Sequence, residues 1–120
     1  MADFVKIQVP NELKEKQLTI LEKVVKTGKI RVGTNECTKA IERGTAKLVL
    51  IAEDVSPPEV VMHLPVLCKE KNIPFTYVST KKELGERAGI KVSASAIALI
   101  DEGDAKKELV DLVKKLKELQ

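Results

Sequence analysis

Apolar positions along the chain switch repeatedly between helical and strand periods. Over residues 11–28, Leu13, Ile20, Leu21, Val24 and Val25 fall at near-helical spacing, and Gly28 offers a left-handed stop. The β-type run 29–32 then leads through Gly33 into a second helix over 34–44, where Cys37, Ala40 and Ile41 form an apolar stripe and Gly44 closes it. Residues 46–55, AKLVLIAEDV, are continuously apolar until they end in Glu53 and Asp54, as expected of a central strand covered on both faces.

The second half repeats the cycle. SPPE at 56–59 has capping-box spacing with Pro57 at a first helical position, opening a helix to residue 72 that Pro65 is expected to kink. FTYVS at 75–79 reads as a third strand, and TKKE at 80–83 as a second capping box for a short helix ending near Gly89. AIALI at 96–100 supplies a fourth strand. Asp104 is placed to cap a last helix whose Leu109, Leu112, Val113, Leu116 and Leu119 make one stripe. The order αβαβαβαβα predicts an α/β protein, a three-layer α/β/α sandwich with a four-stranded sheet and about five helices. With no repeat, low-complexity tract or linker, residues 1–120 read as a single domain. Strand order is beyond the pattern.

Composition narrows the function classes. A chain of 120 residues, 43% hydrophobic, can bury roughly two-thirds of its unfolded surface in one core. The uncharged run 92–100 is far short of the roughly 18 residues of a membrane span, which predicts a soluble protein without a membrane partner. The N-terminal residues lack the pattern of a secretory signal, and two cysteines make no disulfide framework, so a reducing, cytoplasmic setting is expected. The net charge of +3 is too small to diagnose a nucleic-acid binder, but residues 1–50 hold ten basic and six acidic side chains. Phe4, Phe75 and Tyr77 are the only aromatics, which argues against domains that stack bases on aromatic platforms.

Several chemistries fall away on residue type. Cys37, Cys68 and His63 are too few for a structural zinc site; buried thiols and a core or boundary imidazole are the expected readings. GKIRVGTN at 28–35 has two glycines at the spacing of a phosphate-binding loop, yet Thr34 and Asn35 stand where Lys and Ser/Thr belong. Glu53 and Asp54 lie where α/β sheets bind ligands, as in a phosphoacceptor receiver, but no acid pair follows the first strand; a solvated strand end is the alternative.

GTNECTKAIERG at 33–44 is the informative cluster. Asn35, Lys39 and Arg43 fall at i, i+4 and i+8 with Glu36 one position round, while the helix start around Gly33 and Thr34 offers unpaired N–H groups that favour an anion. Lys29 and Arg31 lie just upstream. By spacing alone this also describes a capped, amphipathic surface helix. Glu36 is the complication, because a carboxylate beside phosphates is repelled unless it accepts hydrogen bonds from bases. The N1–H and N2–H₂ edge of guanine suits it, N7 and O6 suit Lys39, and the Asn35 amide can both donate and accept. Those edges are open together only where guanines are not in Watson–Crick pairs, so structured RNA is the expected target.

At these residues the chain resembles the kink-turn-binding family of large-subunit ribosomal and spliceosomal proteins, its archaeal members most closely. The likeness runs through ordered blocks at 33–44, 48–59, 63–78 and 84–99. It implies an α/β/α sandwich without enzyme activity or cofactor that binds RNA kink-turns, where tandem sheared G·A pairs flank a bulge. By motif position it implies that Asn35, Glu36 and Lys39 read the sheared guanines, that Gly33 and Thr34 bring the helix start to the backbone, and that Arg31 and Arg43 meet phosphates. Ile90, Lys91 and Val92 match the family's variable recognition loop, whose two apolar side chains cover bulged nucleotides. Ser56, where some relatives carry an acid, and Lys91, between the two apolar loop residues, are positions of variation. The implied partners are ribosomal RNA, box C/D and H/ACA guide RNAs and ribonuclease P RNA, together with assembly proteins that join a nucleating core protein, itself a monomer when free.

Overall fold

The computed structural model describes residues 9–119; residues 1–8, on which the expectation about a secretory signal rests, and Gln120 lie outside it. The alternating pattern becomes α1 (Asn11–Thr27), β1 (Lys29–Val32), α2 (Thr34–Glu42), β2 (Leu48–Ala52), α3 (Glu59–Glu70), β3 (Phe75–Val78), α4 (Lys81–Arg87), β4 (Ala96–Asp101) and α5 (Lys106–Leu119). The sheet has the order β1-β4-β2-β3, with β4 antiparallel to both β1 and β2 and β2 parallel to β3. Helices α2 and α3 pack together on one face, and α1 touches α4 and α5 on the other, which completes the predicted three-layer α/β/α sandwich.

Burial explains the strand order. All five residues of β2 are buried, as are Ala96 to Leu99 of β4, so these two strands, apolar on both faces, take the centre. β1 leaves Lys29 and Arg31 exposed and forms an edge, where charge also discourages further pairing. At the other edge, buried Gln17 of α1 accepts from Thr76 Oγ1 at 2.6 Å and donates to Tyr77 O at 3.0 Å, so a buried amide is satisfied while fastening β3. The pairings also give the sheet a polarity. The C-terminal ends of β1, β2 and β3 and the N-terminal end of β4 share one rim.

The acids that end β2 tie elements together at that rim. Glu53 pairs with Lys14 of α1 at 3.1 Å, and Asp54 Oδ1 accepts from the Lys81 N–H that opens α4, at 2.8 Å. Asp54 remains exposed and Glu53 partly so, so this is a solvated strand end as considered from sequence, with structural work added to both acids.

Four local expectations differ from the structure. Gly28 is extended, with φ −126°, rather than left-handed; a Cβ there would run into the Asp101 carbonyl, so close approach requires the glycine. The capping box at 56–59 does not form: α3 begins at Glu59 with Pro58 before it, and the carbonyls of Pro57 and Pro58 take the first-turn N–H groups. By contrast, Thr80 does accept from Glu83 N at 3.1 Å at the start of α4. Asp104 does not cap α5. It sits in a 3-10 turn, Gly103–Ala105, and its N–H donates to Thr27 Oγ1 at 3.0 Å. Finally, His63 is exposed rather than in the core or at its boundary, because it faces Thr38 across the α2–α3 contact.

Candidate nucleic-acid interface

The chain leaves β1 through Gly33, whose φ of +98° is the left-handed region that side chains resist. Its N–H donates to Ala96 O at 2.8 Å, which pins the turn to the start of β4. Gly33 then serves as the N-cap of α2 with no side chain to turn back on the helix. The first amide to close an intrahelical ring is that of Cys37, to Gly33 O at 2.9 Å. The N–H groups of Thr34, Asn35 and Glu36 therefore point out of the helix start without a capping acceptor, at the positive end of its dipole.

Asn35, Glu36 and Lys39 stand exposed around this start, and Glu36 Oε1 lies 3.6 Å from Lys39 Nζ with each side chain about half exposed (48% and 57%). Thr38 Oγ1 donates to Thr34 O at 2.8 Å, leaving it to accept from His63 Nε2 at 2.8 Å. Val60 and His63 of α3 thereby join Gly33, Thr34, Asn35 and Glu36 in lining an open groove of about 590 Å³. Sequence reasoning missed both. Their i, i+3 spacing puts them on one helix face, but only the α2–α3 packing brings that face to the groove.

The second segment arrives from α4. Ile90 N donates to Gly85 O and Ala94 N to Lys81 O, at 3.1 and 3.0 Å, and the loop passes so close to α4 that a Cβ on Gly85 would strike the Val92 carbonyl. It ends at Ser95, whose hydroxyl lies 2.9 Å from Thr34 Oγ1 and whose carbonyl accepts from Ala52 N at 3.0 Å. Ser95, to which the sequence reading gives no role of its own, thus couples the loop to the start of α2. The two apolar loop residues separate here. Ile90 is half-buried and packs against the core, whereas Val92 is 70% exposed beside exposed Lys91.

The structure brings Gly33, Thr34, Asn35, Glu36 and Lys39 together and joins them to the 90–95 loop, but spreads the two arginines. Arg31 is exposed on β1, and Arg43 sits at the C-terminal end of α2, roughly 12 Å along the axis from Asn35. Cys37 and Cys68 are buried and free as expected, and burial pushes each thiol up to about 12, so neither is a nucleophile or ready metal ligand at neutral pH. Among the described residues no three His, Cys, Asp or Glu side chains gather where they could hold a metal ion, and no helix is long and apolar enough to cross a membrane.

A mixed four-stranded sheet between helical layers, with an uncapped helix start beside a tethered loop, defines a three-layer α/β protein built around an anion-attracting rim. Residues 15–109 match the family described as ribosomal protein L7Ae/L30e/S12e/Gadd45, and the chain belongs to that family. Among solved structures, it is similar to the Giardia lamblia 15.5kD RNA binding protein, with a TM-score of 0.93 and 26% identity over 100% of both chains.

Proposed function

We propose that this protein binds RNA kink-turns, recognising tandem sheared G·A pairs through Asn35, Glu36 and Lys39 and covering bulged nucleotides with the 90–92 loop. The observation that carries the reading is the exposed Glu36 carboxylate on the uncapped first turn of α2, 3.6 Å from Lys39. A phosphate at that helix start would be repelled by the acid, whereas unpaired guanine edges present donors to Glu36 and acceptors to Lys39. Phosphate oxygens then meet the open N–H groups of α2, and Arg31 and Arg43 add attraction at longer reach. Membership of a ribosomal protein family and similarity to a protein described as RNA binding support the same reading.

The action is mechanical rather than catalytic. A free kink-turn exchanges between open and bent forms, and a protein that contacts only the bent form shifts the population by its differential affinity. Later assembly proteins then meet a fixed RNA shape. The RNAs carrying such motifs would be ribosomal RNA, box C/D and H/ACA guide RNAs and ribonuclease P RNA, bound by a monomer in the cytoplasm as a nucleating core protein.

The test is titration into an end-labelled kink-turn whose bending is read by energy transfer, alongside the same RNA with both G·A pairs changed to Watson–Crick pairs. Tight, bending-coupled binding to the first and weak, salt-sensitive binding to the second is the expected result. Equal binding to both would reduce the site to a basic surface.

A further inference from the structure

The opposite rim of the sheet carries a second surface. Lys47 precedes β2, Pro74 precedes β3 and Glu102 follows β4, so all three lie at the strand ends away from Gly33. Helix α5 runs beside them, and together they enclose an open groove of about 410 Å³. Its floor is apolar. Pro74, Leu109 and Val113 form it, and Val110 remains 47% exposed at its side.

Charge around that floor has one dominant sign. Lys106, Lys114 and Lys117 recur with Val110 and Val113 at three- and four-residue spacings, which places them on one stripe of α5, and Lys47 faces them from the sheet. The acids of α5 lie off the groove: Glu108 pairs with Lys23 at 3.1 Å, and Asp111 and Glu118, though a turn either side of Lys114, do not line it. Glu102 is the one acid lining the groove. Among the described residues, none of these four lysines has an ion-pair partner.

We propose that this groove docks an acidic amphipathic segment of a partner protein, with Leu- or Ile-type side chains on the floor and Asp or Glu beside the lysines. The distance from Lys106 to Lys117 is roughly 16 Å, about three turns of a bound helix. Charge complementarity selects an acidic ligand, and the apolar floor selects protein over RNA. Phosphates would neutralise the lysines but leave Val110 and Val113 uncovered, and no aromatic side chain lines the groove to stack a base. The surface stands at the far end of the strands from α2, so occupation there leaves the Gly33 rim open, and the inference holds whatever that rim binds.

The experiment uses the full-length, ¹⁵N-labelled protein and a fluorescein-tagged peptide of about twelve residues that alternates Leu pairs with Glu pairs. Saturable binding is expected, with amide shifts confined to α5 and the neighbourhoods of Lys47 and Pro74. Replacing the lysines in Lys106→Glu/Lys114→Glu/Lys117→Glu should weaken it by at least about tenfold, as close charge pairs at an interface do. The milder Lys114→Gln/Lys117→Gln and the single change Val110→Ser should each weaken it with an unchanged melting temperature, so loss of folding cannot mimic the result. The proposal is overturned by equally tight binding of an oligoglutamate, by displacement of the peptide by oligouridylate, or by dilution-dependent shifts of α5 that reveal self-association. Absence of binding at millimolar peptide overturns it too.

Discussion

At the residue scale, the proposed recognition divides between Glu36 and Lys39. Glu36→Ala should weaken kink-turn binding by about 1–3 kcal/mol without weakening binding to a plain duplex, the signature of a base contact. Lys39→Ala should also lower the salt dependence of log K by about one unit of slope, measured by titration at several salt concentrations. Equal loss on both RNAs for Glu36→Ala would remove base readout. The loop pair divides differently from what the family likeness alone implies. Because Ile90 packs on the core, Ile90→Ala should cost about 1–2 kcal/mol in urea unfolding, whereas exposed Val92→Ala should leave stability unchanged and weaken RNA binding. The Asn35, Glu36 and Lys39 cluster was legible because helix period alone gathers residues one to four apart. Ser95, Val60 and His63 were not, since each reaches the site from an element whose neighbours depend on strand order or helix packing.

At the element scale, the two capping-box motifs show where local pattern holds. Thr80→Ala should cost about 1 kcal/mol by losing the bond to Glu83 N, while Ser56→Ala should stay within about 0.5 kcal/mol because α3 starts later and uncapped by Ser56. Thermal melts of both variants decide this. Glycine in α4 gives a sharper case. Propensity alone says that Gly85→Ala stabilises a helix by about 1 kcal/mol. Here the added methyl would strike the Val92 carbonyl, and an overpacking cost of about 1–3 kcal/mol reverses the sign. Gly85→Ala should therefore lower the melting temperature and, by displacing the loop that ends at Ser95, weaken RNA binding. The helices and strands themselves were readable from period. The antiparallel insertion of β4 between β1 and β2 was not, because apolar alternation marks what is buried and carries no record of which strand lies beside it.

At the scale of the whole molecule, the core sets an alkaline limit. Burial raises Cys37 and Cys68 from an ordinary 9.0 to about 12, so between those values the unfolded chain loses thiol protons that the folded chain keeps. The thiol contribution is constant below about pH 9, and above it stability should fall, by up to about 1.4 kcal/mol per pH unit for each thiol. Urea unfolding from pH 7 to 11 should show that decline, and Cys37→Ala/Cys68→Ala should flatten it despite a lower starting stability; an identical slope in both proteins would contradict the assignment. The surface poses a different problem, since a cell is crowded with polyanions and this protein carries a net charge of only +3. On the proposed reading, the Glu36–Lys39 pair, 3.6 Å apart, would act there as a filter against commonplace ligands. An ordinary duplex that draws Lys39 to its phosphates strips Glu36 of its counter-ion and leaves like charges facing one another. A ligand bearing donors and acceptors side by side replaces both halves of the pair at once, so the protein rejects company by being its own first partner.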